Sequence, residues 1–143
     1  MKDKKKDYVW YISGRMAGLP EMNYPAFHGA ARKLKGLGHK CLNPAEVDGG
    51  DTSKTWEYYI NKSLVMMLRC NKVMLLKDWH LSRGACFEVY CAVVMKMPLY
   101  NEKMQKVKIS KEQLDELHQV IIDTTYYLKR GVEVKCREYD EIE

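Results

Sequence analysis

Between Gly84 and Met95 the order Gly-Ala-Cys-Phe-Glu-Val-Tyr-Cys-Ala-Val-Val-Met holds one charged side chain, Glu88. A helix that is apolar nearly all round is ordinarily buried. A carboxylate inside it must find hydrogen-bond donors, keep its proton, or bear a large desolvation cost. Two placements answer this: a carboxylate held at a cleft about one and a half turns from the helix start, or a glutamate on a narrow solvent-facing stripe. In the first placement Glu88 is a candidate nucleophile.

What precedes Glu88 bears on that choice. Ser82-Arg83-Gly84 opens the same helix, and free backbone N–H groups, the positive end of the helix dipole, a hydroxyl and a guanidinium together make a seat for phosphate. The plainer reading is a serine cap followed by a surface arginine. A second glycine-bearing turn, Ser13-Gly14-Arg15-Met16-Ala17-Gly18, offers close backbone approach to a ligand but lacks the spacing of a dinucleotide or Walker-type phosphate loop. Tyr11, Tyr24 and Trp79 have the faces to stack on a base, although isolated aromatics more often pack a core or a lid.

These residues need elements to hold them. Tyr8 to Ile12 is aromatic and β-branched without alternation, as in a strand buried on both faces of a parallel sheet. Asn23-Tyr24-Pro25 opens a helix whose apolar positions Phe27, Ala30, Ala31, Leu34 and Leu37 run to the stops at Gly36 and Gly38. A short strand, His39 to Leu42, ends at Asn43-Pro44, and a polar loop follows. The spacing predicts a second helix from about Thr55 to Leu68, with Ser63 on its apolar face, and a third strand from Val73 to Leu76. Ser82 caps a third helix to about Met95, and Pro98-Leu99-Tyr100 makes a fourth parallel strand. The capping-box order Ser110-Lys111-Glu112-Gln113 starts a last helix that closes at Lys129-Arg130-Gly131, and Val132 to Cys136 alternates like an edge strand. Alternating strands and helices imply a parallel sheet with helices on both faces and ligands beyond the carboxyl ends of the strands, where the loops after Ile12, Leu42 and Leu76 share one rim.

The chain's 143 residues, 46% of them hydrophobic, suit one domain around a single sheet. We divide it into a basic tail (1–7), an α/β domain (8–102) and a C-terminal helical extension (103–143) packed on that domain or on a partner subunit. The formal charge of +5 owes much to four lysines within the first six residues, so it gives little support to nucleic-acid binding. The apolar run after that tail is too short for a signal peptide, and no stretch is long enough to span a membrane. Cys41, Cys70, Cys86, Cys91 and Cys136 form no C-x-x-C pair and read as reduced cytosolic thiols, so the expected location is cytoplasmic. Ligand spacing indicates no metal and no organic cofactor.

Four pieces in order carry a family resemblance: Tyr11-Ile12-Ser13-Gly14-Arg15-Met16-Ala17-Gly18-Leu19-Pro20, Asn23-Tyr24-Pro25-Ala26-Phe27, Asn43-Pro44-Ala45-Glu46, and Trp79 with Ser82-Arg83-Gly84-Ala85. From about Tyr8 to Tyr100 the chain resembles the small phage and bacterial proteins called domain of unknown function 4406, within the nucleoside 2-deoxyribosyltransferase-like superfamily. The resemblance implies a flavodoxin-like or Rossmann-like three-layer sandwich with a four- to five-stranded parallel sheet. It also implies chemistry at the N-glycosidic bond of a nucleoside or nucleoside 5′-monophosphate, by hydrolysis or 2-deoxyribosyl transfer. The superfamily's serine, glycine and nucleophilic glutamate fall on Ser82, Gly84 and Glu88, with Tyr11, Ser13, Gly14, Arg15, Ser63, Trp79 and Arg83 completing the expected substrate contacts. Related enzymes form dimers or larger assemblies, so self-association is implied as well.

Two departures bear on turnover. Arg15 stands where proline is common, and Ser63 aligns with the superfamily's second acid. A serine cannot serve as a carboxylate acid, and loss of a positioned acid or base costs about 10²–10⁴ in rate. Asn71 likewise replaces an acid before the third strand, and Glu46 and Asp78 are further carboxylates on the rim. A second reading is therefore a nucleotide-binding protein without turnover, a sensor or sequestering agent for a nucleotide or ADP-ribose-type signal. A third, a structural or nucleic-acid-associated accessory, rests on net charge alone.

Overall fold

The computed structural model describes residues 9–46 and 53–131. The basic tail and the Val132 to Cys136 segment lie outside the described residues. Strand β1 (Val9–Ser13) leads through a short 3-10 turn (Pro20–Asn23) into helix α1 (Tyr24–Gly36), followed by β2 (Lys40–Leu42), α2 (Trp56–Leu68) and β3 (Lys72–Leu75). A second 3-10 turn (Trp79–Leu81) precedes α3 (Arg83–Val94), and β4 (Leu99–Asn101), β5 (Lys106–Val107) and α4 (Lys111–Lys129) complete the order.

The result is an α/β protein with a five-stranded sheet ordered β2-β1-β3-β4-β5. β1 lies between β2 and β3 in parallel register, and β3 pairs in parallel with β4. β5 is antiparallel to β4, with Leu99 opposite Val107. The mostly parallel order is consistent with a Rossmann-like arrangement. The fifth strand corrects the expectation of an all-parallel sheet and carries the sheet past residue 102. The alternation Lys106-Val107-Lys108-Ile109 is the strand's one local signal, and its pairing with β4 is what identifies it.

Period-two alternation divides the core. Trp10, Ile12, Met74 and Leu76 pack with Phe27, Ala30, Ala31 and Leu34 of α1. Tyr11, Val73, Leu75 and Leu99 pack with Met67 of α2, Cys86 and Val89 of α3 and Leu117 of α4. β1 is buried along almost its whole length, as its unalternating sequence predicts.

The caps fix where the site helices begin. Thr55 accepts from the Tyr58 N–H at α2, and Ser82 Oγ accepts from the Ala85 N–H at 3.0 Å to start α3. At α4 the capping box is complete: Ser110 Oγ takes the Gln113 N–H at 3.1 Å, and Gln113 Oε1 takes the Ser110 N–H at 2.9 Å. α4 lies on α3 of its own chain through buried Leu117, a stacked Tyr90–His118 pair at 5.6 Å, and a hydrogen bond from Arg83 to Thr124.

Candidate functional site

Glu88 projects from α3 against the carboxyl end of β1. The Tyr11 phenol donates to Oε2 at 2.5 Å and the Ser13 hydroxyl donates to Oε1 at 2.7 Å. Glu88 is 6% exposed, and Tyr11 and Ser13 are fully buried. Tyr11 and Ser13 share one sheet face because they are two residues apart in a strand, and that face is the one α3 covers. Of the two placements open to Glu88 in the sequence, the solvent-facing stripe is not what is observed: the carboxyl is buried against β1.

The electrostatics follow from this geometry. Burial raises the Glu88 carboxyl from its ordinary 4.5 to about 7, while hydrogen bonds from Tyr11 and Ser13 act in the opposite sense without prevailing. The Tyr11 phenol is held well above its ordinary range, first by burial and then by the Glu88 charge; a hydrogen bond with Ser63 opposes both. Ser63 is half-buried on α2, so a chain of side chains runs Ser63–Tyr11–Glu88–Ser13. Glu88 is the one buried carboxylate among the described residues. A carboxyl raised to about 7 has both its protonated and its ionised form within reach at neutral pH.

Gly84 lies one turn before Glu88 on the same helix face. A Cβ there would meet Ile60 Cδ1 of α2 at 3.6 Å and Ser82 Oγ at 3.9 Å, both ordinary contacts, so protein packing does not demand glycine at this position. Ser82 is buried at the helix start. Gly14 differs: a Cβ would fall 2.8 Å from Leu76 Cβ, so its glycine is required by the approach of β1's exit to the end of β3. That structural demand accounts for Gly14 without a ligand.

Arg83 departs from the expected phosphate seat. It is 3% exposed, its Nη1 donates to Thr124 Oγ1 of α4 at 2.7 Å, and its Nε has no hydrogen-bond partner. At about 100° per residue, five residues separate Arg83 and Glu88 by about 140° around the helix, so the two face different neighbours. Trp79 packs on the apolar cluster under α3 and meets His80 edge-on at 6.0 Å. Arg15 is half-buried in the loop after β1, and its carbonyl accepts from Asn23 Nδ2 at 2.8 Å. Glu46 and Asp78 are exposed. Asn71 closes the opposite end of the sheet, where its Oδ1 accepts from the Val9 N–H and its own N–H donates to the Val9 carbonyl.

The rim also holds His28, which the sequence reading does not single out, beside Asn43. Asn43 is buried at the exit of β2, Nδ2 lies 3.1 Å from His28 Nδ1, and Oδ1 accepts from the Ala45 N–H. His28 meets Tyr24 edge-on at 6.3 Å. The Tyr24 phenol is raised by burial and by neighbouring Tyr59 of α2. The signal available was Asn43-Pro44 at a strand end, together with the four-residue spacing of Tyr24 and His28 on one helix face.

Among the described residues, no helix is long and apolar enough to cross a membrane. No curated protein matches the chain at a significant level. A family profile, described as domain of unknown function (DUF4406), matches residues 8–101, from the start of β1 to the end of β4. The match takes in Tyr11, Ser13, Ser63, Ser82, Gly84 and Glu88, and on its extent the chain belongs to the family of domain of unknown function (DUF4406).

Proposed function

We propose that this protein cleaves the N-glycosidic bond of a nucleoside or nucleoside 5′-monophosphate, with hydrolysis preferred over transfer and Glu88 as the nucleophile. The observation that carries the proposal is the buried Glu88 carboxyl, gripped on each oxygen by a hydroxyl and poised near neutrality. In this reading the fold is a flavodoxin-like three-layer sandwich, and the family sits within the nucleoside 2-deoxyribosyltransferase-like superfamily. The protein acts in the cytoplasm, as a homodimer or larger assembly.

Ionised Glu88 attacks the anomeric carbon, and the bond to the base nitrogen breaks with its electron pair leaving on the base, which takes a proton from solvent. A glycosyl ester on Glu88 results. Water then displaces the carboxylate at the same carbon, losing its proton to solvent, and Glu88 returns as the anion. Tyr11 and Ser13 fix the carboxylate's orientation during both steps. Ser82 and the first-turn amides of α3 hold the 5′ group, and Gly84 leaves room beside it.

A second reading, nucleotide binding without turnover, is favoured by Ser63, whose hydroxyl engages Tyr11 where the superfamily resemblance places an acid. One experiment separates the two. Purified protein is incubated with a panel of ribo- and deoxyribonucleoside monophosphates, free base is followed by chromatography, and calorimetry is run in parallel. Base release that disappears in Glu88→Gln supports the enzyme. Tight binding with no release from any substrate overturns it in favour of the binding protein.

A further inference from the structure

The end of the sheet opposite Glu88 carries a concavity. β4 begins and β5 ends there, because the two strands are antiparallel and Leu99 pairs with Val107. A groove of about 420 Å³ lies between the end of α3, the Met97-Pro98 connection and the segment Lys106-Val107-Lys108-Ile109. Its floor is aliphatic, formed by Val93, Leu99, Val107 and Ile109 together with Met97 and Pro98. Its charged lining consists of Lys96, Lys106 and Lys108, with no acidic side chain among the residues that form it.

Three further observations give the groove direction. Lys106 to Ile109 alternates lysine with a branched aliphatic residue, the pattern of a strand showing cations on one side and apolar side chains on the other. β5 is the last strand in the sheet order, so among the described residues its outer edge has no neighbouring strand. Lys96 adopts φ +59° just past α3, where its N–H meets the Val93 carbonyl and the next N–H meets the Ala92 carbonyl. Glycine takes that left-handed position at lower cost, so a lysine kept there places a cation at the groove at the expense of backbone strain. Val94 and Met95, each 59% exposed, extend the apolar surface beside it.

We propose that this groove docks an extended peptide segment of a partner protein, one in which glutamates or aspartates alternate with branched aliphatic residues, laid alongside β5. The lysines match the acids, the aliphatic floor takes the intervening side chains, and the outer edge of β5 supplies main-chain hydrogen bonds. The groove contains no aromatic ring on which a base would stack, which favours peptide over single-stranded nucleic acid.

The test uses the full chain, labelled with ¹⁵N, titrated with the acetylated and amidated pentapeptide Glu-Val-Glu-Ile-Glu. Amide shifts concentrated at Val107, Lys108, Ile109 and the end of α3 are expected, with affinity falling about tenfold or more in Lys106→Glu/Lys108→Glu, whose spectrum elsewhere stays native. A control peptide with serine in place of Val and Ile should leave those amides unmoved. The proposal is overturned if the parent peptide moves none of these amides, if the serine control moves them equally, or if phosphatidylserine vesicles move them while the peptide does not.

Discussion

Glu88→Gln removes the proton equilibrium of the buried carboxyl while keeping its shape and one acceptor oxygen for Tyr11. Unfolded, the carboxyl ionises near 4.5; folded, near about 7. Below pH 4.5 both states hold the proton, and the stability gap between wild type and variant is at its baseline. Between those values the unfolded chain releases its proton while the folded chain keeps it, so wild type loses stability relative to the variant at about 1.4 kcal/mol per pH unit. Above pH 7 both states are ionised and the change levels off at about 3 kcal/mol in favour of Glu88→Gln. Urea unfolding of both proteins from pH 4.5 to 8.5 measures this directly, because every other titrating group cancels in the difference. A gap that does not change with pH, or a wild type that gains on the variant as pH rises, would refute burial as the force acting on Glu88.

Tyr11→Phe deletes a donor that favours ionised Glu88, so the ¹³C-detected titration midpoint of the Glu88 carboxyl should move above about 7; an unchanged or lower midpoint contradicts the assigned hydrogen bond. Thr124→Val leaves the Arg83 guanidinium buried without its acceptor, which should cost about 2 kcal/mol in urea unfolding, whereas a change under about 0.5 kcal/mol would mean that Arg83 has found another partner. Gly14→Ala must push its Cβ against Leu76 and should destabilise by about 1–3 kcal/mol. Gly84→Ala should leave unfolding within about 1 kcal/mol of wild type yet weaken nucleotide binding in calorimetry, and unchanged binding would remove Gly84 from the ligand site.

Sequence legibility followed the range of the interactions. Local signals placed the helices: Ser82 and Ser110 are caps where their spacing predicts them, and the apolar face of α2 carries Ser63 inward. Glu88's isolation in an apolar stretch leaves a cleft or a solvent stripe open, and its surroundings depend on which strand α3 covers. The partners Tyr11 and Ser13 sit more than seventy positions away and become visible only once register sets β1 beneath α3. Arg83 shows that adjacency in a motif is not adjacency in space: neighbouring helix positions diverge by about 100°, and it turns to Thr124 of α4 while Glu88 faces β1. β5 leaves only the four-residue alternation from Lys106 to Ile109, and its antiparallel place comes from pairing with β4.

Covalent capture tests the central claim most directly. Protein mixed with a nucleoside monophosphate that releases its base is quenched in acid during turnover, digested and mapped by mass spectrometry. The account predicts a glycosyl increment on the peptide containing Glu88, absent in Glu88→Gln together with base release. Base release that continues in Glu88→Gln, with no adduct on the Glu88 peptide in wild type, would contradict it.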